Sequence, residues 1–283
     1  MSSTVDLHLH SIFSDGSDSA GELIEQLQAR GIRTFALTDH DTTAGIRPVE
    51  QKVPKEMTFL RGIEFSCWDV KGLCHIIGLN MDLEDPMFRA AVMEGSVKRM
   101  QKMEKRIRFL QEEKGVSFTD QELEYLRSLN SGGKAHLVTL LIRKGLAVSW
   151  DDAVTNFIDP CPTHEVWIRA EEAIRVIEGA GGVSVLAHPL TGDGTLHLTP
   201  EEFRQQLALL KEYGLRAMEC YYNSFDRNEV EFLLSEARKN DLLISGGSDY
   251  HGSHKNNRIG ELNAFGKTVE ESDLTVLEAV GIR

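Results

Sequence analysis

The stretch VDLHLHSIFSDGS near the start of the chain places two histidines two positions apart, with an acid five residues after the second. Apolar residues alternate with His8 and His10, and in a β-strand this period of two puts both imidazoles on one face, roughly 7 Å apart. Two rings so placed could share a metal ion or line a pocket. A polar site near Asp15 is therefore the first hypothesis that the sequence supports.

Other short apolar runs also end in side chains that can bind metals. A lone His is usually a hydrogen-bonded structural residue and a lone Asp after a strand usually caps a helix, and we expect Asp6 to be structural. However, six of the ten histidines fall at such strand ends, which meet at one edge of a parallel α/β fold. We therefore predict a metal centre formed by His8, His10, Asp15, His40, Glu64, His75, His188, Asp249 and His251.

The chemistry of this ligand set indicates both the metal and the reaction. Imidazoles and carboxylates without a thiolate favour Mn, with Fe, Zn or Mg as alternatives, over Ca or a structural zinc site. Nine ligands exceed the need of one ion, so two or three divalent metal ions are expected. Such a centre stabilises an attacking hydroxide and a leaving oxygen together, as in phosphoester hydrolysis. The absence of a GxSxG motif is consistent with water as the nucleophile.

The elements that must position these residues repeat one order along the chain. A helical stretch, a Gly or Asn stop and a short apolar strand follow one another in residues 17–41, 170–189, 199–222 and 226–252. Ser19 and Thr199 stand at N-cap positions, each with a Glu three residues later, as a capping box requires. This alternation predicts an α/β fold with a largely parallel sheet or barrel, formed by residues 1–83 and 166–283.

Residues 84–165 break this order. The segment 87–115 predicts one long amphipathic helix that ends at Gly115, and three shorter helical stretches follow without a clear strand. We interpret the region as a helical insertion between two strands of the main domain, which could cap the mouth of the barrel.

Composition excludes some partners. The net charge of −13 argues against binding duplex nucleic acid through its phosphates, although bound metals could still attract a small anion. The four cysteines form no CxxC pair and are expected to be small buried residues. With no leader-like start and no long apolar run, we expect a cytoplasmic protein with no membrane association, and no obligatory protein partner is evident.

The motifs DLHLHSIFSDGS, ALTDHDTTAG, GIEFS with CHIIGL, VLAHP and GGSDYHG together resemble the PHP (polymerase and histidinol phosphatase) superfamily of metal-dependent phosphoesterases. Within it, the chain is most similar to the TrpH/YciV-like subfamily of 3′,5′-nucleotide bisphosphate phosphatases and 5′→3′ exoribonucleases. The resemblance spans nearly the whole chain and implies a distorted (β/α)7 barrel with a helical insertion.

The resemblance also implies roles for the nine residues. His8, His10, Glu64 and Asp249 would hold one ion, with Glu64 bridging to a second ion bound by His75 and His188. A third ion would bind to Asp15, His40 and His251. Glu64, Asp249 and His188 are the expected catalytic residues.

Substrate contacts are expected from a smaller set of residues. Relatives carry an Arg-x-His at the start of an inserted helix, where this chain has Lys134 and His136. Lysine can neutralise a phosphate but cannot form a bidentate fork. His197 and His254 are further candidates for phosphate contacts or a general acid, and Lys255 and Arg258 are candidates for phosphate contacts. Tyr221, Tyr222 and Phe225 could stack a base, although at least one should pack in the core.

These observations predict a phosphoesterase that hydrolyses small nucleotides, such as 3′,5′-bisphosphates, or short oligonucleotide ends by means of a metal-bound hydroxide. Two alternatives remain open: a phosphatase for histidinol phosphate, phosphotyrosine or another small phosphomonoester, and a metal-binding module without catalysis. A nucleic-acid-binding module without catalysis is disfavoured by the acidic charge.

Overall fold

Eight strands form one mixed sheet in the computed structural model, which describes residues 3–69, 72–163, 167–191 and 197–282. Three of the strands are short and fully buried, as expected where helices cover a parallel sheet. The strands are β1 Val5–Asp6, β2 Thr34–Leu37, β3 Thr58–Asp69, β4 Gly72–Leu79, β5 Ile168–Arg169, β6 Val183–Leu186, β7 Ala217–Tyr222 and β8 Leu243–Gly247.

The sheet curls into a nearly closed barrel with the strand order β1-β2-β3-β4-β6-β7-β8, and β5 pairs with the far end of β3. The gap between β1 and β8 is bridged by a hydrogen bond from Leu7 N to Gly246 O (3.2 Å) and by parallel pairing of Leu9 with Tyr250. The prediction of a distorted barrel is therefore confirmed.

One strand departs from the predicted parallel arrangement. β4 runs antiparallel to both of its neighbours, β3 and β6. The cause is local, because β3 returns directly into β4, with Asp69 paired to Gly72, and no crossover helix separates the two strands.

Ten α-helices surround the sheet or form the insertion in the described part of the chain. Both predicted capping boxes are present, at Ser19 and at Thr199, and a cap of this kind contributes about 1 kcal/mol. The helices are α1 Ala20–Ala29, α2 Ile46–Glu50, α3 Pro86–Glu112, α4 Asp120–Ser128, α5 Lys134–Arg143, α6 Trp150–Ala153, α7 Ala170–Gly179, α8 Pro200–Glu212, α9 Arg227–Lys239 and α10 Val276–Ala279. None of these described helices combines the length and the apolar composition needed to cross a bilayer.

The predicted long helix and the three shorter helical stretches that follow it are α3 to α6, and a π-helical turn at Val154–Ile158 extends the last of them. These helices have an apolar cluster of their own, with Leu110, Leu126 and Leu137 fully buried. However, Phe88 at the start of α3 packs in the core of the barrel. The boundary between barrel and insertion at residues 84–165 stays a prediction.

The four cysteines are buried and free, as the sequence analysis predicted. Asp6 also has the predicted structural role: its carboxylate accepts hydrogen bonds from the backbone N–H groups of Ser248 and Gly260, both at 2.9 Å. These bonds tie β1 to the segments that follow β8.

Candidate metal centre

The nine predicted ligands converge in the barrel, and the carboxylate of Glu64 lies at their centre. Glu64 Oε2 faces His8 Nε2 and His10 Nε2, both at 3.2 Å. On the other side, Glu64 Oε1 lies 2.9 Å from His75 Nδ1 and 3.1 Å from His188 Nε2. One buried carboxylate therefore faces imidazoles on both of its oxygens.

Three groups of side chains have donor atoms close enough together to hold a cation, and all of their members are buried. They overlap at His10, His40 and Glu64, so neighbouring ions would share ligands. The groups are His8, His10, Glu64 and Asp249; His40, Glu64 and His75; and His10, Asp15, His40 and His251. His188 is outside them but lies 3.2 Å from His75 Nδ1.

The positions of three ligands relative to the strands agree only partly with the sequence pattern. β1 ends at Asp6, so His8 and His10 lie beyond the strand, where the pairing of Leu9 with Tyr250 keeps the chain extended. Their rings still share one side, with Nε2 atoms 3.1 Å apart. The prediction that Glu64 ends its strand is wrong, because β3 continues to Asp69 in order to pair with β4.

Strained backbone marks three of the strand ends at the centre. Asp41, His188 and Asp249 adopt left-handed backbone angles, with φ of 53°, 29° and 53°. Residues other than glycine rarely adopt such angles, which cost of order 1 to 3 kcal/mol and cluster at functional sites. The fold thus tolerates local strain in order to direct these side chains.

The charges at the centre favour ionised carboxylates. Burial by itself raises the pKa of Glu64, but His40, His8 and His75 together hold it well below its usual range. Burial likewise raises the pKa of Asp249, and Lys255 and His251 outweigh this effect, so that the pKa is well below normal. Both side chains therefore offer anionic oxygens at neutral pH, the form that binds a metal ion.

Unpartnered buried atoms test whether a metal would fit. Among the described residues, five such atoms at this centre lack a hydrogen-bonding partner: His10 Nδ1, His40 Nδ1, Glu64 Oε2, His188 Nδ1 and His251 Nε2. Buried polar atoms are rarely left unsatisfied, and lone pairs that face one another call for a cation between them. The residues therefore fit divalent metals that prefer mixed nitrogen and oxygen ligands, such as Mn, Fe and Zn.

Glu219 on β7 supports the centre from behind and was missed by the sequence analysis. It is fully buried, accepts a hydrogen bond from His8 Nδ1 at 3.0 Å, and accepts another from the backbone N–H of His188 at 2.7 Å. With Nδ1 as the donor, a neutral His8 ring has its lone pair on Nε2, the nitrogen that faces Glu64 and would bind a metal. Its signal in the sequence is the one charged residue within the apolar strand AMECYY.

Asp249 and Asp15 also have partners that hold one carboxylate oxygen. Tyr222 Oη and Lys255 Nζ donate to Asp249 Oδ2 at 3.0 and 2.9 Å. Arg99, on α3 of the insertion, donates to Asp15 Oδ2 at 2.8 Å. Nothing in the sequence distinguishes Arg99 from the other basic residues of this amphipathic helix.

A cleft of about 560 Å³ opens above the centre. One wall, the barrel face, consists of ligand residues together with Tyr222, Asn223 and Lys255. The opposite wall, the insertion face, includes Lys134, Trp150, Asp151, Val154, Thr155 and Asp159. Part of this wall is the π-helical turn, a feature that is frequent at functional sites.

Only some of the residues predicted to contact the substrate line the cleft. Lys134 and His197 line the cleft, whereas His136 and Arg258 do not. His136 is buried and its Nδ1 accepts a hydrogen bond from Gly133 N, while Arg258 is 67% exposed and faces Glu261. His254 donates a hydrogen bond from Nδ1 to the backbone oxygen of Asp15 at 3.0 Å.

The three aromatic side chains after β7 are also divided. Tyr222 lines the cleft. Tyr221 and Phe225 pack in the core of the barrel, which confirms the expectation that at least one would be buried.

Comparison with known proteins agrees with this geometry. The family model of the PHP domain matches residues 6–159. Over 256 residues the chain is 30% identical to the 5′-3′ exoribonuclease Rnm of Escherichia coli (strain K12), which covers 87% of this chain and 84% of the relative. It is 26% identical over 262 residues to the 3′,5′-nucleoside bisphosphate phosphatase of Chromobacterium violaceum, covering 90% of this chain and 89% of the relative.

A solved structure shares the fold. A candidate metal-dependent phosphoesterase from Bifidobacterium adolescentis superposes with a TM-score of 0.81 at 24% identity, covering 98% of this chain and 96% of that chain. The family match, the relatives and the shared fold lead to one conclusion: the chain belongs to the PHP domain family of metal-dependent phosphoesterases.

Proposed function

We propose that this protein hydrolyses phosphate esters of small nucleotides, such as 3′,5′-bisphosphates, or of short oligonucleotide ends. The observation that carries the proposal is the buried, Glu64-centred cluster of imidazoles and carboxylates at the floor of a cleft that also presents Lys134. The names of the two relatives, an exoribonuclease and a nucleoside bisphosphate phosphatase, support a nucleotide substrate.

Two or three divalent ions, with manganese as the first candidate, would be held by the nine clustered residues. His8, His10, Glu64 and Asp249 would bind one ion, and Glu64 would bridge to a second near His75 and His188. The third group would be Asp15, His40 and His251 together with His10. Bound ions of this kind polarise a phosphoryl oxygen and lower the pKa of a water so that it can attack phosphorus.

The chain's own residues would orient and hold this arrangement. Glu64 and Asp249 are held in their charged form in a buried site, because the neighbouring imidazoles and Lys255 outweigh the effect of burial on the two pKa values. Glu219 fixes the ring of His8 and the backbone of His188, so both imidazoles remain directed at Glu64. Small displacements of catalytic groups are costly, and this rigid support limits them.

Lys134 at the start of α5 would bind a phosphate on the insertion face. An ammonium group neutralises charge without the paired hydrogen bonds of a guanidinium, so it favours a phosphate without fixing its orientation. Substrate release would accordingly be easier than with an arginine at this position.

The shape and charge of the cleft support a small substrate. A volume of about 560 Å³ lies within the range of small-molecule sites. Asp151 and Asp159 line the insertion face, and the chain carries a net charge of −13. A long polyanion would meet repulsion beyond the cleft, whereas a nucleotide or an oligonucleotide end would not.

The test compares substrates under one condition. Phosphate release and product identity are measured with Mn²⁺ for adenosine 3′,5′-bisphosphate, AMP, a short 5′-phosphorylated RNA, histidinol phosphate and phosphotyrosine. We expect turnover of the bisphosphate or the RNA to a nucleoside monophosphate. The variant Glu64→Gln, prepared in parallel, controls for contaminating phosphatases.

Two outcomes contradict the proposal in different ways. Turnover of histidinol phosphate or phosphotyrosine alone would replace the nucleotide substrate but keep the reaction. Inertness toward all five compounds by a metal-loaded protein would favour a metal-binding module without catalysis.

A further inference from the structure

The insertion face of the cleft carries a large aromatic side chain that neither metal binding nor phosphate binding explains. Trp150 lines the cleft on the wall opposite the barrel face. It is partly buried and packs at the edge of the apolar cluster of helices α3 to α6, so the rest of its indole surface is left toward the cleft. Tryptophan offers a large and flat contact area, and it is enriched where proteins bind other molecules.

Local hydrogen bonds fix the backbone that carries Trp150. Ser149 caps helix α6, and its Oγ accepts a hydrogen bond from Asp152 N at 3.2 Å. In return, Asp152 Oδ2 accepts a hydrogen bond from Val148 N at 2.8 Å, and Asn156 Nδ2 donates to Asp152 Oδ1 at 2.7 Å. The residues before and after Trp150 are thus tied together. A ligand that stacks on this indole meets a surface that is already in place, so little ordering opposes binding.

Charges divide the cleft into a place for phosphate and a place for the rest of a substrate. The cations Lys134 and Lys255 line the cleft together with the metal ligands, where a phosphate would bind. Asp151 follows Trp150 in α6, Asp159 is the C-cap of the π-helical turn, and both acids line the cleft. Carboxylates repel a phosphate. The part of the insertion face around Trp150 therefore suits a group without negative charge.

Tyr222 on the barrel face is placed differently from Trp150. Its Oη donates to Asp249 Oδ2 at 3.0 Å, and the centre of its ring lies 5.5 Å from the ring of His188 and 5.1 Å from that of Phe225. Tyr222 is therefore fixed beside the metal ligands, where the reacting phosphate would lie. Because a ribose separates this phosphate from the base of a nucleotide, the base would lie further from the metal centre than Tyr222 does.

We propose that Trp150 is the stacking platform for the base of a nucleotide substrate whose phosphate lies at the metal centre. The inference rests on the proposed function and identifies the part of the cleft that recognises the nucleoside. Stacking of a base on an aromatic side chain tolerates different bases and strengthens binding by about 5- to 150-fold. Trp150 would thus favour nucleotides over phosphate esters that lack an aromatic ring.

The first measurement compares two ligands that differ in the presence of the base. The phosphonate analogues of AMP and of ribose 5-phosphate have a carbon in place of the ester oxygen, so they bind without turnover. Their affinities for the metal-loaded protein are measured by calorimetry, and tryptophan fluorescence is recorded during the titration. The AMP analogue is expected to bind about 10-fold more tightly or better, and to quench the fluorescence, because its base would lie against the indole.

Substitutions assign this difference to Trp150. Trp150→Ala should remove most of the preference for the AMP analogue and leave the affinity for the ribose analogue unchanged. Trp150→Phe keeps a ring, so it should retain part of the preference while most of the quenching is lost. Trp68→Ala is the matched control, because Trp68 is 40% exposed on β3 and is not among the described residues that line the cleft. It should keep the wild-type preference.

Contrary results separate this inference from the proposed function. Equal affinity of the wild type for the two analogues, or an unchanged preference in Trp150→Ala, would overturn the stacking role and leave phosphoester hydrolysis standing. A preference that depends on Trp150, in a protein that hydrolyses none of the nucleotides, would overturn the proposed function alone. If Trp150→Ala does not fold, Trp150→Leu takes its place, since leucine keeps apolar packing against the insertion but offers no ring. Circular dichroism and thermal unfolding monitor the fold of each variant.

Discussion

The barrel face and the insertion face of the cleft are built on different principles. On the barrel face, side chains from many strand ends meet around Glu64, and nearly every one is an imidazole or a carboxylate. On the insertion face, the start of α5, the short helix α6 and the π-helical turn with its C-cap present side chains that share no common chemistry: Lys134, Trp150, Thr155 and Asp159. We therefore expect the reaction chemistry to reside on the barrel face and the selection of the substrate on the insertion face.

Removal of metal should produce the largest loss of activity, because the reaction is assigned to the metal ligands of the barrel face. Dialysis against a chelator is expected to reduce phosphoesterase activity to background, and Mn²⁺ should restore it. Since a ligand present at 100 times its Kd stabilises the native state by about 2.7 kcal/mol, the melting temperature should also fall by several degrees. Full activity in protein that elemental analysis finds free of metal would place the chemistry elsewhere.

Glu64→Gln tests the centre of the barrel face. The amide keeps the shape but loses the charge that faces imidazoles on both oxygens, so activity should fall by more than about 100-fold and the metal content should decrease. Glu25→Gln, at an exposed position on α1, is the matched control and should retain activity. A Glu64→Gln protein with normal metal content and normal turnover would show that this carboxylate does not organise the site.

Glu219→Gln tests how far the metal ligands of the barrel face depend on the hydrogen bonds that Glu219 accepts from His8 and His188. A glutamine cannot accept hydrogen bonds from both His8 and the backbone of His188 with the same strength, so we expect a loss of roughly 10 to 100-fold in activity or metal affinity. Glu231→Gln on the exposed side of α9 serves as the control. Equal activity of the two variants would reduce Glu219 to a packing role.

Lys134→Ala tests the insertion face. Its effect should be smaller and confined to substrate binding. Loss of one charge-assisted contact to phosphate should raise KM about 10-fold with little change in kcat. Arg258→Ala is the matched control: this side chain is exposed and outside the cleft, so its KM should change less than about two-fold. A comparable rise in KM for Arg258→Ala would instead support the predicted phosphate contact of Arg258.

The sequence correctly predicted structural features that depend on residues close to one another along the chain. The capping boxes at Ser19 and Thr199 and the long helix α3 each depend on residues within a few turns of one another, and all are present. The reversal of β4 was not predicted, because strand direction depends on which partner the chain meets after β3. Arg99 was missed for the same reason, since its partner Asp15 is 84 residues away in the sequence.

By itself, the sequence determined the composition of the centre: six histidines and three acids, most of them where short apolar runs end, already implied a metal site and an α/β barrel. Only the tertiary structure decided how these side chains are grouped, that Glu64 lies at their centre, and that Glu219 and Arg99 support them from behind. The physical reason is that ligand type is a property of each residue. Distance and net charge within a buried site, in contrast, arise only when remote segments pack together.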